Sequence, residues 1–149
     1  MPSTPLYRLA YSSTYRAGRI DSELSALRDI LSQSRKNNEK ADVTGYLIFD
    51  GDTFVQVLEG PRENVEATMS RIARDDRHRD VSVLAIHPTA GRAFHGWKMG
   101  GYRRSARQDP IFAAHGFPGK IERSQLSFET AVSLAEALCA DQAKPGSQH

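Results

Sequence analysis

Apolar positions in this chain follow two periods. Within residues 43–61 (VTGYLIFDGDTFVQVLEGP), two runs rich in β-branched and aromatic residues, 43–49 and 53–58, flank Asp50-Gly51-Asp52. Short runs of this kind around turn residues predict a β-hairpin. Residues 6–11 (LYRLAY) predict a first strand, with Leu6 and Arg8 on one face and Tyr7, Leu9 and Tyr11 on the other. Residues 81–86 predict another strand, stopped by Pro88, and a short one falls near residues 97–102. Elsewhere the period lengthens. From a cap at Asp21 or Ser22 to about Asn37, the residues Leu24, Leu27, Ile30 and Leu31 share one helical face. Ser34 continues that face, and Asn37 and Asn38 close it. Pro61 suits the first turn of a second helix, striped by Val65, Met69, Ile72 and Ala73 and ended by the charged turn 75–79. Residues 124–140 predict a last helix, with Leu126, Thr130, Leu134, Ala137 and Leu138 as its stripe.

The order is therefore β-α-β-β-α-β with one more strand. That predicts an α+β fold, a ferredoxin-like sandwich with two helices on one face, an additional strand and a C-terminal helical cap. Residues 12–20 read as a polar loop, 40–42 as a link and 103–119 as a linker with at most a short helical turn. The expected division is one domain over 5–103, a linker and cap over 104–141, and a disordered tail over 142–149.

Composition narrows the function classes. The chain has 149 residues, 39% hydrophobic and 26% charged, which describes an ordinary soluble globular protein. Its 20 basic and 18 acidic residues leave a net charge of +2, so neither nucleic acid nor a membrane is the default partner. A single cysteine, Cys139, permits neither an intramolecular disulfide nor a cysteine metal site, and a reducing, cytoplasmic location fits. The five histidines lack metal-ligand spacing on a helix. There is no glycine-rich phosphate loop ending in Lys-Ser/Thr. No run approaches the ~18 apolar residues of a membrane span, and the N-terminus lacks a signal-peptide core.

One residue breaks the apolar pattern. Gln56 sits between Val55 and Val57, where a buried strand prefers hydrocarbon. A buried primary amide left without partners costs about 1–3 kcal/mol. Taken singly, the other polar or large residues have plain readings: Tyr11 as a core tyrosine, Asn37-Asn38 as helix-end chemistry, Trp97 and Met99 as packing, and 77–79 as a solvated turn. Taken together and in order, LAYSS, SRKNN with VTGYL, FVQVLEGP, DDRHR and WKM resemble the BLUF family, blue-light sensor domains that bind flavin non-covalently. The resemblance covers roughly residues 6–102.

The resemblance implies a set of roles. Ile30 and Ile72 would sandwich the flavin ring, and Asn38 would meet its carbonyl and N–H edge. Arg71 and Asp75 would meet the ring edge or ribityl chain, Ser34 and Asn37 would also contact the cofactor, and Arg77 and His78 would neutralise the diphosphate of FAD. Tyr11 would give an electron and a proton to the excited flavin and then recover both. Gln56, bridging the two, would rotate or tautomerise and leave the flavin slightly red-shifted. Trp97 and Met99 would compete for the place beside Gln56 and pass the change to the last strand and the C-terminal segment. The loop 12–22 is longer than in short family members, and Tyr15 within it is a competing tyrosine.

Three function classes follow. The first is a cytoplasmic photoreceptor, not an enzyme, that signals by contact with a downstream protein and forms homo-oligomers. The second is a small flavin-dependent reductase or an acylphosphatase-like hydrolase on the same fold, with Arg16 in the loop after the first strand. The third is a single-stranded RNA module using Tyr46 and Phe54. It lacks the aromatic-rich signature of such modules.

Overall fold

The computed structural model describes residues 5–15, 23–95 and 100–143. The expected hairpin forms the middle of a five-stranded sheet. Its strands are β2 (Thr44–Asp50) and β3 (Thr53–Pro61), joined by the two-residue turn Gly51-Asp52, because Asp50 and Thr53 already pair. β1 (Leu6–Tyr15) runs antiparallel to β3 and to β4 (His78–Thr89), and β5 (Gly100–Arg103) runs parallel to β2. The strand order is β4-β1-β3-β2-β5. Helices α1 (Glu23–Ala41) and α2 (Arg62–Ala73) cover one face. The other face carries α3 (Asp109–Ala114) and α4 (Phe128–Ala143).

Every residue of β2 is buried. A strand covered on both faces reads as a continuous apolar run, which is why the hairpin stands out in the sequence. Alternation then divides its side chains. Leu9, Tyr11, Leu47, Phe49, Phe54 and Leu58 pack with Ile30, Val65 and Met69 under α1 and α2. Ala10, Tyr46, Ile48, Val55 and Val57 pack with Phe94, Phe112, Phe117, Ile121 and the α4 residues Ala131, Leu134, Ala135 and Leu138.

Several boundaries depart from the sequence expectation. β1 continues through Ser12–Tyr15, expected as loop, because β3 and β4 pair with it on both sides as far as Thr14 and Tyr15. α1 runs to Ala41, so Asn37 and Asn38 lie within its last turns. It stops where Asp42 takes a left-handed φ of 55°, a conformation short polar residues tolerate. β4 spans Pro88 without stopping. It is an edge strand, where the missing N–H need not break an outer ladder.

Residues 103–119, expected as a linker, carry a 3₁₀ turn (Ala106–Gln108) and α3, and bury Phe112 and Phe117. Arg104 organises this segment. Its guanidinium pairs with Asp50 at 3.1 Å and Asp109 at 3.0 Å, and donates to the carbonyls of Phe117 at 3.1 Å and Gly119 at 2.7 Å. It also lies 4.1 Å from the Phe112 ring centroid. Asp50 is 54 residues upstream, and nothing local marks the Phe117 and Gly119 carbonyls as partners, so local composition shows only a charged stretch. Tyr46 and Phe54, the aromatics an RNA module would expose, are fully buried on opposite faces. Gln142 and Ala143, expected in the disordered tail, belong to α4, where Gln142 is hydrogen-bonded to the sheet. The expected helix cap at Asp21 or Ser22, the side chains of Leu24 and Leu27, Trp97, Met99 and residues 144–149 of the expected tail lie outside the described residues.

Candidate functional site

α1 and α2 lie side by side on the sheet, and a cleft opens between them. From α1 it takes Ile30, Gln33, Ser34, Asn37 and Asn38, a set spaced by one helical turn or less along one face. From α2 it takes Thr68, Arg71 and Ile72, and from the turn beyond it Asp75, Arg77 and His78. Gln56 of β3 also lines it. All ten residues assigned by resemblance to flavin binding therefore line this cleft. Gln33 and Thr68 were missed. Both sit one turn from an expected residue on the same face, Gln33 before Asn37 and Thr68 before Ile72, and that spacing is the signal that finds them.

Beneath the cleft, Tyr11 is fully buried and its hydroxyl donates to Gln56 Oε1. Their Cα atoms are register partners in the β1–β3 ladder, which explains why these two side chains meet. Burial, with a smaller contribution from the Asp75 carboxylate, raises the Tyr11 pKa well above that of a free phenol. The group is therefore a neutral donor at any physiological pH. Tyr15, the competing tyrosine, is half-buried at the end of β1, its ring edge-on to Phe49 and Phe54.

Two expected roles change. His78 is buried, and that burial lowers its pKa to about 4, so it is a neutral ring and not a cation for a diphosphate. Its Nδ1 is hydrogen-bonded to Ser13 Oγ at 2.8 Å, and its ring lies edge-on to Tyr11 with centroids 6.2 Å apart. Arg77 is turned onto Asp75, with Nε to Oδ1 at 2.9 Å and Nη2 to Oδ2 at 2.5 Å. It also donates to Gln33 Oε1 at 3.0 Å, bracing the α2–β4 turn against α1. This pairing holds the Asp75 carboxyl below the usual carboxylate range. Arg71 remains exposed at the rim.

The donor set fits a flavin. Aliphatic side chains from both helices, Ile30 and Ile72, suit a flat apolar ring. Buried amides, Asn38 and Gln56, suit its polar edge, since each offers a donor and an acceptor.

The comparisons with known proteins agree. The family model described as BLUF, sensors of blue-light using FAD, matches residues 6–100. The blue light- and temperature-regulated antirepressor BluF of Escherichia coli (strain K12) is 30% identical over 113 residues, covering 74% of this chain and 28% of that protein. The photoactivated adenylate cyclase subunit alpha of Euglena gracilis is 32% identical over 97 residues, covering 64% of this chain and 9% of that protein. The chain thus spans a minor part of the length of these relatives. Among solved structures, the photo-activated state of BlsA superposes with a TM-score of 0.79 at 27% identity, covering 89% of this chain and 94% of that one.

Proposed function

The chain belongs to the BLUF family of blue-light sensors, and on that premise we propose that it binds FAD in the α1–α2 cleft and signals light to a partner protein. The observation that carries the reading is the buried Tyr11–Gln56 hydrogen bond at the floor of that cleft. When bound, the flavin supplies blue-light absorption and an excited-state electron acceptor.

The protein residues supply the rest. Asn38, Ser34 and Asn37 orient the polar ring edge, and Ile30 and Ile72 hold its faces. Arg71, exposed at the rim, is the cation best placed for a phosphate. Tyr11 does not release its proton in the ground state, because burial disfavours the phenolate. Loss of an electron makes a phenol strongly acidic, and Gln56 Oε1 already accepts that hydrogen bond. The electron would go to the bound flavin and the proton would follow it through Gln56, and both would return to Tyr11. Gln56 carries a donor and an acceptor on one amide, so its rotation or tautomerisation outlasts the return and rewrites the hydrogen bonds at the ring. Trp97 and Met99 pass that change to β5. The chain has no catalytic output of its own and acts by contact, as a homo-oligomer, on a downstream protein such as a response-regulator-like protein, a cyclic-dinucleotide enzyme or a transcription factor.

The test is a visible absorption spectrum of the purified protein in the dark and after blue light, with the extracted flavin identified by chromatography. A yellow protein whose flavin band moves reversibly to the red, and which yields FAD, is expected. A colourless protein that flavin fails to reconstitute would overturn the proposal. Candidate partners bound equally well in dark and light would count against the signalling half.

A further inference from the structure

Gln142 lies in the last turn of α4, far from the cleft. Its Nε2 donates to the Gly101 carbonyl of β5 at 3.2 Å, and its Oε1 accepts from the Tyr46 hydroxyl of β2 at 2.6 Å. The strand register shows where these partners stand. Tyr11 is opposite Gln56, Gln56 is opposite Leu47, and Leu47 is opposite Gly101. Four neighbours thus form one row across β1, β3, β2 and β5. It begins at the Tyr11–Gln56 hydrogen bond and ends at the carbonyl that Gln142 holds. In the next row Val57 is opposite Tyr46, and Tyr46 opposite Gly100. Side chains of that row face α4, and its Tyr46 donates to the same amide. One side chain of the cap helix therefore joins both rows at the edge of the sheet.

Gly101 is also pressed from the cleft side. A Cβ there would lie 2.6 Å from Leu31 Cδ2 and 2.8 Å from Cδ1, so α1 rests directly on this point of β5. A shift in the row or in α1 must therefore move Gly101. The far end of β5 is held differently: the charge-assisted bonds of Arg104 to Asp50 and Asp109 fix it as a pivot. The Gly101–Gln142 bond joins neutral groups and is already at the long end of the N–H···O range, so a displacement of a few tenths of an ångström removes it.

We propose that Gln142 is the contact through which α4 registers a change at Gln56: movement of β5 at Gly101 breaks this hydrogen bond and loosens the last turn of α4. The inference rests on the photoreceptor reading above.

Hydrogen exchange of the flavin-loaded full chain, in the dark and under blue light, tests it. In the native protein the last turn of α4 should exchange about fivefold to tenfold faster in light, the scale set by one net hydrogen bond. Gln142→Leu should exchange fast already in the dark, gain nothing on illumination, and keep the flavin red shift. Gln142→Glu keeps the shape and an acceptor for Tyr46, but its carboxylate cannot donate to Gly101, so it should lose the light response too. A native-sized light response in both variants would overturn the inference. So would a native protein that red-shifts normally with α4 equally protected in dark and light. A native protein without a red shift would overturn the photoreceptor reading itself, and the inference with it.

Discussion

Tyr11 and Gln56 share one hydrogen bond, yet their replacements should fail in different ways. Gln56→Leu removes the acceptor of a fully buried hydroxyl. It should lower stability by about 1–3 kcal/mol in denaturant titration, retain flavin, and abolish the red shift, because a hydrocarbon relays no proton. Tyr11→Phe should also retain flavin and lose the photocycle. If that variant cycles normally in flash spectroscopy, the donor is Tyr15, whose ring reaches toward Phe49 and Phe54. His78 ties stability to pH. Its folded pKa, about 4, lies below the unfolded value of 6.5, so the unfolded chain takes up a proton first as pH falls. Stability is therefore full above pH 6.5 and declines between about 6.5 and 4, by up to roughly 3 kcal/mol. Urea titrations at pH 7.5 and pH 5 should show the loss in the native protein and a smaller one in His78→Gln. The window sits above the range in which Asp75, its pKa lowered by Arg77, would be protonated.

At the scale of elements, close approach sets the position of α1. A Cβ on Gly60 of β3 would come within 2.7 Å of the Asp42 carbonyl, a backbone atom that cannot swing away. Gly60→Ala should therefore push out the turn that ends α1, costing about 1–3 kcal/mol in thermal unfolding and weakening flavin binding through Asn37 and Asn38. The same scale explains what could be read from the sequence. The hairpin, both site helices and the cleft face of α1 were legible because burial on one or both sides imposes a period of two or about four. The helix residues assigned to the cleft by resemblance line it from one face each of α1 and α2, whereas Gln56, Asp75, Arg77 and His78 reach it from β3 and the turn after α2, where no helical spacing could show them. Ser12–Tyr15 was not legible as strand, because its pairing comes from β3 and β4 and not from its own polar residues. His78 looked like a surface cation because nothing in DDRHR shows that it opens a strand and turns inward onto Ser13. Arg104 looked like linker because, Asp109 apart, its partners are Asp50, far upstream, and carbonyls that any sequence supplies.

The whole molecule depends on that guanidinium. The Arg104 side chain is 8% exposed, and Asp50 behind it 10%. Arg104→Ala would strand a buried carboxylate and release residues 109–121 together, so it should cost about 3–5 kcal/mol in dark thermal unfolding. The flavin spectrum should stay unchanged, since no cleft residue touches Arg104. The cap is fastened at a second place by Arg123, whose guanidinium donates to Ser12 Oγ and Thr14 Oγ1 of β1, each at 3.0 Å. Both fastenings reach the sheet from the side opposite the cleft. The alternation along β1, β2 and β3 thereby makes the sheet a partition whose two surfaces are written in interleaved letters of the same strands. Tyr11, Leu47 and Phe49 face the cleft side, while Ala10, Ile48 and Val55 face the cap. Such a wall lets the two surfaces drift at separate rates. A lineage can acquire a new listener by rewriting every second residue, without repainting the colour that the other half reads.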